Sequence, residues 1–132
     1  MRVIVFLIIL FFFVKLASAK EMLYSEEYKI EFSSQNITEK KEERVNEIKN
    51  DSFKKIIISL LTTDEYNKLN KIIDIDFINT FVFGVDIYEE KINNNTYTSK
   101  IKFAYDNSKI INFFINNNIW PKNIFWKNFI KR

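Results

Sequence analysis

Apolar and polar residues alternate along Tyr28-Lys29-Ile30-Glu31-Phe32, the period-two pattern of a half-buried strand with Tyr28, Ile30 and Phe32 inward. Ser33-Ser34-Gln35-Asn36 breaks it. Beyond Thr38, a candidate helix cap, the period changes. Val45 and Ile48, then Phe53, Ile56, Ile57, Leu60 and Leu61, recur at helical spacing and predict a helix running to about Leu61. Glu39, Glu42 and Glu43 sit in its early turns, where the dipole favours acids. Lys54 and Lys55 point outward, and Ile58 falls off the stripe. Thr62-Thr63-Asp64 offers caps for a short second helix through Tyr66, Leu69, Ile72 and Ile73. Asp74-Ile75-Asp76 alternates as though extended structure began there.

The alternation returns twice more. Phe81, Phe83, Val85 and Ile87 mark one strand; Tyr97, Ser99, Ile101, Phe103 and Tyr105 mark the next. A hairpin must place both sets on one face, because a slip of one residue turns every side chain over. A two-residue Asn94-Asn95 turn would set Tyr88 against Ile101 and Asp86 against Phe103, apolar against polar. A three-residue Asn93-Asn94-Asn95 loop sets Ile87 against Ile101, Val85 against Phe103 and Phe83 against Tyr105, with Asp86 facing Lys102 and Glu90 facing Thr98. The predicted hairpin therefore has the three-residue loop, with Asn95 in the left-handed conformation that Asn tolerates well.

Asp106-Asn107-Ser108 offers caps for a short apolar helix through Ile110, Ile111, Phe113, Phe114 and Ile115, which Asn116-Asn117-Asn118 stops. The predicted fold class is α+β: a small, mainly antiparallel sheet with helices on one face, in the order β-α-α-β-β-α plus a C-terminal helical tail. In that tail, Phe125, Trp126, Phe129 and Ile130 gather on one side of a helix begun after Pro121, while Lys127 and Lys131 point elsewhere.

Composition narrows the picture. The 132 residues suffice for one domain, and 47% hydrophobic content with 14 Phe supplies one core. The frequent Asn, Lys and Ile have the look of an AT-rich genome. Arg2, the unbroken apolar run Val3–Val14 and the small-x-small site Ala17-Ser18-Ala19 form the three parts of a secretory signal peptide. Lys15 cuts the run short of the ~20 apolar residues that a spanning helix needs. The expected organisation is a signal peptide over residues 1–19, one α+β domain over 20–121, and an aromatic, basic tail over 122–132. Cleavage near Ala19 would leave the protein periplasmic or secreted. It would also lower the net charge from +3 to +1, too little for the basic stripe that nucleic-acid binding requires.

Three segments resemble an exported proteobacterial family, domain-of-unknown-function family twenty sixty-six. They are ERVNEIKNDSFKKIIISLLT, FVFGVDIYEEKINNNTYTSKIKFAYD and KIINFFINNNIWP, and the resemblance covers roughly residues 24–121. Where members place Gly before the Ile-Pro-like stop, this chain has Asn118. The resemblance implies a helix, a hairpin and a leucine-rich helix in that order, and it brings no established activity.

With no His and no Cys, Ser-His and Cys-His nucleophilic machinery, imidazole and thiolate metal sites, and disulfides are all ruled out. Carboxylates remain. Asp74 and Asp76 have a spacing that suits a hard cation on one side of a strand, but a solvated strand edge has the same pattern. Glu89 and Glu90 are adjacent, so on a strand they point to opposite faces and do not make a glycosidase pair. Lys40, Lys41 and Arg44 have the pattern of a solvated helix face interleaved with Glu. The expected function is a non-catalytic interaction or envelope-associated module with no metal and no cofactor. Its partner would be an envelope protein or the membrane surface. The alternatives are a carboxylate-dependent hydrolase and a membrane-surface protein. The residues expected to touch a membrane or partner are Trp120, Phe125, Trp126, Phe129, Lys127 and Lys131.

Overall fold

The computed structural model describes residues 21–122. Its elements are β1 (Met22–Tyr24), β2 (Tyr28–Ser33), α1 (Ile37–Leu60), α2 (Thr63–Leu69), α3 (Ile75–Asn79), β3 (Val82–Asn93), β4 (Thr96–Asp106) and α4 (Asn107–Asn116). The fold is α+β as expected, with helices packed on a small antiparallel sheet. The signal segment and the aromatic tail lie outside the described residues.

β4 is the axis of the sheet. β3 pairs along one of its edges; β1 and β2 pair end to end along the other. Between Tyr24↔Ala104 and Tyr28↔Ile101 the outer strand carries one residue more than β4 does. Ser25 bridges the break. Its N–H donates to the Phe103 carbonyl at 2.9 Å, and its Oγ accepts from the Phe103 N–H at 3.0 Å. A side-chain oxygen thus stands where a backbone carbonyl would be, and a buried N–H keeps its partner. β1 is too short to show a period, and the sequence pattern gave no sign of it.

The cap of α1 lies two residues before the expected one. Asn36 is the N-cap: its Oδ1 accepts from the Glu39 N–H at 3.3 Å, while its Nδ2 donates to the Glu39 carboxylate at 2.7 Å. Thr38 lies inside the first turn, since Asn36 already satisfies the amide that a cap serves. The stripe forms as predicted, with Ile48, Phe53, Ile57 and Leu60 buried and Ile58 exposed. Thr62 caps α2. Asp74-Ile75-Asp76 is not extended, because Asp74 caps α3 by accepting from the Phe77 N–H at 2.8 Å. Asp106 caps α4. The helix ends in a Schellman motif: Asn118 takes a φ of 53°, its N–H donates to Ile115, and the Ile119 N–H donates to Phe114. Asn occupies this left-handed position at lower cost than any residue but Gly.

Ile30, Ile101, Phe103 and Tyr105 of the sheet meet Phe53, Ile57 and Leu60 of α1 in one core. At one end, Phe53, Phe77, Phe81 and Phe113 stack edge and face, with centroid separations of 5.0 to 6.2 Å. One polar pair is sealed inside: Ser52 Oγ lies 2.6 Å from the Tyr105 hydroxyl, which also donates to the Lys49 carbonyl. Burial pushes the Tyr105 hydroxyl far above its ordinary pKa. The described chain ends where Lys122 N–H donates to the Leu60 carbonyl, beside a Leu61↔Pro121 bridge.

The hairpin turn differs from expectation, although the register over its middle does not. Asn93 pairs with Thr96, so the loop is the two-residue Asn94-Asn95, and Asn94 rather than Asn95 has positive φ (52°). A β-bulge between Tyr88 and Lys91, with Glu89 at φ 53°, inserts one extra residue. Ile87 then meets Ile101, Val85 meets Phe103 and Asp86 meets Lys102, as matching the apolar faces required. Outside that window the expected partners change: Lys91, not Glu90, faces Thr98. A second irregularity puts Val82, not Phe83, opposite Tyr105.

Candidate functional site

Directly opposed residues of an antiparallel pair share a face. Val85 and Ile87 therefore stand on the same side of the sheet as Phe103 and Ile101, which are fully buried. Yet Val85 is 39% exposed and Ile87 36%, with Phe83 and Ile92 on the same strand at 60% each. The cause is helix placement. α1 packs principally on β2 and β4. A helix about 10 Å across covers about two strands spaced about 4.8 Å apart, so among the described residues the third stays open. β3 is thus a sheet edge whose core-side row is apolar and accessible. The opposite face of the same strand is polar, carrying Asp86 and Tyr88.

A polar group borders the row near the turn. The Glu90 carboxylate accepts from Lys41 Nζ and from the Tyr97 hydroxyl, both at 2.7 Å. The Lys41 hydrogen bond, then that of Tyr97, holds the Glu90 carboxyl below its ordinary range, and the same bond to Glu90 raises Lys41. On the far face, Lys100 lies between Glu27 and Glu89, and the Tyr88 hydroxyl donates to Glu27. Lys102 sits 5.0 Å from the Tyr24 ring centroid.

A second feature is a cleft of about 190 Å³ between α1 and the β1–β2 edge, lined by Tyr24, Ser25, Tyr28, Ser52, Lys55 and Ser59 among others. Most of its hydroxyls are committed within the protein: Ser25 to Glu26, Ser52 to Lys49 and Ser59 to Ile56. Lys55 pairs with Glu26 over the Tyr28 ring. The cleft is smaller than the few hundred Å³ usual for ligand pockets.

The carboxylates singled out by sequence do not converge. Asp74 is a helix cap, Asp76 lies exposed in the first turn of α3, and Glu89 and Glu90 are tied to different lysines. Among the described residues no group of three or more acids could hold a metal ion. Lys40 and Arg44 pair with Glu43 and Glu47 along α1. Of the residues expected to touch a membrane or partner, Trp120 is described and is 64% exposed. Phe125, Trp126, Lys127, Phe129 and Lys131 lie outside the described residues. The β3 row was missed as a site because alternation predicts a core-side face without saying whether anything covers it. Compared with known proteins, the chain matches no family model, no curated protein and no solved structure.

Proposed function

We propose that the chain is an exported, non-catalytic interaction module that docks an envelope protein on β3. The accessible apolar row Phe83, Val85, Ile87 and Ile92 on a sheet edge carries this reading. Sheet edges bind extended segments through backbone hydrogen bonds, while alternate side chains supply specificity. The signal-peptide pattern of residues 1–19 supports export. The absence of His and Cys, together with the engagement of Glu90 and Asp74 in structural roles, supports a binding rather than a catalytic module. The test is affinity capture from envelope extracts with the natural protein and with a Val85→Lys, Ile87→Lys double variant. Both substituted side chains are partly exposed, so the variant keeps its fold. Loss of a captured protein in the variant supports the reading; identical captures by both sink it.

A further inference from the structure

The break between β1 and β2 does more than keep the Phe103 N–H paired. Tyr28 lies opposite Ile101 and so stands on the helix side of the sheet, whereas Tyr24 lies opposite Ala104 and stands on the other. In an unbroken strand two residues four positions apart would share one face. The extra residue turns one ring over, and both rings line the cleft between the strand edge and α1. Bulges are frequent next to active sites, where they re-aim a side chain in this way.

One group in the cleft lacks a partner. The Tyr28 hydroxyl is buried beneath Lys55 and Glu26, close enough to feel both, yet it makes no well-formed hydrogen bond. A buried polar atom left unpaired is costly. Its cover is light: the Lys55 and Glu26 side chains are 61% and 60% exposed, and so exposed an ion pair is worth little. The pair can swing aside at small cost. Ser59 has given its hydrogen to the Ile56 carbonyl, so its oxygen is left to accept. Lys55 retains N–H donors beyond the one spent on Glu26, and the Glu26 carboxylate retains its second oxygen. Lys55 and Glu26 are the charges that line the cleft, and they cancel. Donors and acceptors thus interleave around a space with no net charge. Vicinal hydroxyls, each both donor and acceptor, match that pattern. An ion would meet a like charge once the pair parted. The volume of about 190 Å³ exceeds the ~150 Å³ of a cavity that encloses benzene, so one six-membered ring fits.

We propose that this cleft binds a neutral sugar ring at the end of a saccharide. Tyr28 Oη and Lys55 Nζ donate to its hydroxyls, Ser59 Oγ and Glu26 accept from them, and the exposed Tyr24 ring lies under its apolar face. The site is on the opposite edge of the sheet from β3 and does not depend on the docking reading of that strand. The test is a titration of the isotope-labelled exported protein with the methyl glycosides of glucose, galactose and mannose, followed by amide NMR up to about 50 mM. A ring of about a dozen heavy atoms should bind with a dissociation constant on the order of 1 mM and shift the amides of Ser25, Glu26, Tyr28, Lys55 and Ser59. Tyr28→Phe should weaken binding about tenfold while the melting temperature stays level or rises, because the deleted hydroxyl is one the fold leaves unpaired. Tyr24→Ala should weaken binding with an unchanged circular dichroism spectrum. Glycine, a zwitterion able to part Lys55 from Glu26, should leave these amides unmoved. No shift from any of the three sugars, or shifts confined to other residues, overturns the proposal. So does a Tyr28→Phe protein that binds as well as the natural one, or whose melting temperature falls along with its binding. Equal shifts with glycine overturn the assignment of a neutral ligand.

Discussion

Strands β2 and β3 flank the same central strand and carry the same alternating pattern, yet they meet opposite fates. Ile30 of β2 is completely buried, whereas Val85 and Ile87 of β3, on the same side of the sheet, remain accessible. Period-two alternation specifies which face of a strand is apolar. Burial of that face depends on where the helices run. Here the chain turns from β2 into α1 within three residues, and the helix is held over β2 and β4. β3 enters the sheet only after three helices and finds its outer flank uncovered by the described residues.

The sharpest way to break this comparison is truncation on either side of it. Ile101→Ala or Phe103→Ala should cost about 2–5 kcal/mol in denaturant unfolding, because the cavity each leaves is walled by α1. Ile87→Ala should cost no more than ~1 kcal/mol, since water already reaches the site. Equal costs would mean that β3 is covered and that its exposure carries no function.

Next in size is the Ser25 splice. Ser25→Ala removes the acceptor of a buried Phe103 N–H and should cost about 1–3 kcal/mol. Ser33→Ala, at the other end of that edge, removes an exposed hydroxyl contact with Thr96 and should be near neutral. Amide hydrogen exchange at Phe103 checks the mechanism, with faster exchange expected in Ser25→Ala. A smaller effect lies in the turn: Asn94→Ala should cost ~1 kcal/mol, because Ala tolerates positive φ less well than Asn, and Asn95→Ala should cost almost nothing. The reverse order would move the positive φ to Asn95.

The smallest effect tests the polar border of the β3 row. Glu90 has a depressed folded pKa, so its contribution is present above the unfolded carboxyl value of about 4.3 and is lost as pH falls through the folded value. The group is largely exposed, so the contribution should stay below ~1 kcal/mol. Melting temperatures of the natural protein and of Glu90→Gln, compared between pH about 6 and about 3, should converge on acidification. A gap that persists at the acid end would show that the Lys41–Glu90 pair is not its source.

These contrasts show what could be read from residue order. The α1 stripe, the caps at Thr62 and Asp106 and the middle register of the hairpin are local or pairwise patterns, and they were legible. The register came out right over Val85–Ile87 although the turn did not, because the apolar faces constrain the middle of the strands directly. The Asn94-Asn95 turn and the Glu89 bulge are two offsetting local irregularities, and face matching sees only their sum. Asp74-Ile75-Asp76 was misread because a cap and the start of a strand look alike over three residues. β1 is held by pairing with β4 and by Ser25, neither of which leaves a period in three residues. The β3 surface was not legible at all, since it is defined by where α1 does not reach.

Every strand of this sheet bonds to β4, and β4 is the last strand the chain contains among the described residues. Until Thr96–Asp106 has left the ribosome, β1, β2 and β3 have no ladder to join. The nascent protein can coil α1 early, but the sheet must assemble in one late event that draws together segments as remote as Ser25 and Phe103. Contacts of such long range slow folding. A chain whose last described strand holds all the others cannot close its sheet until that strand has been made.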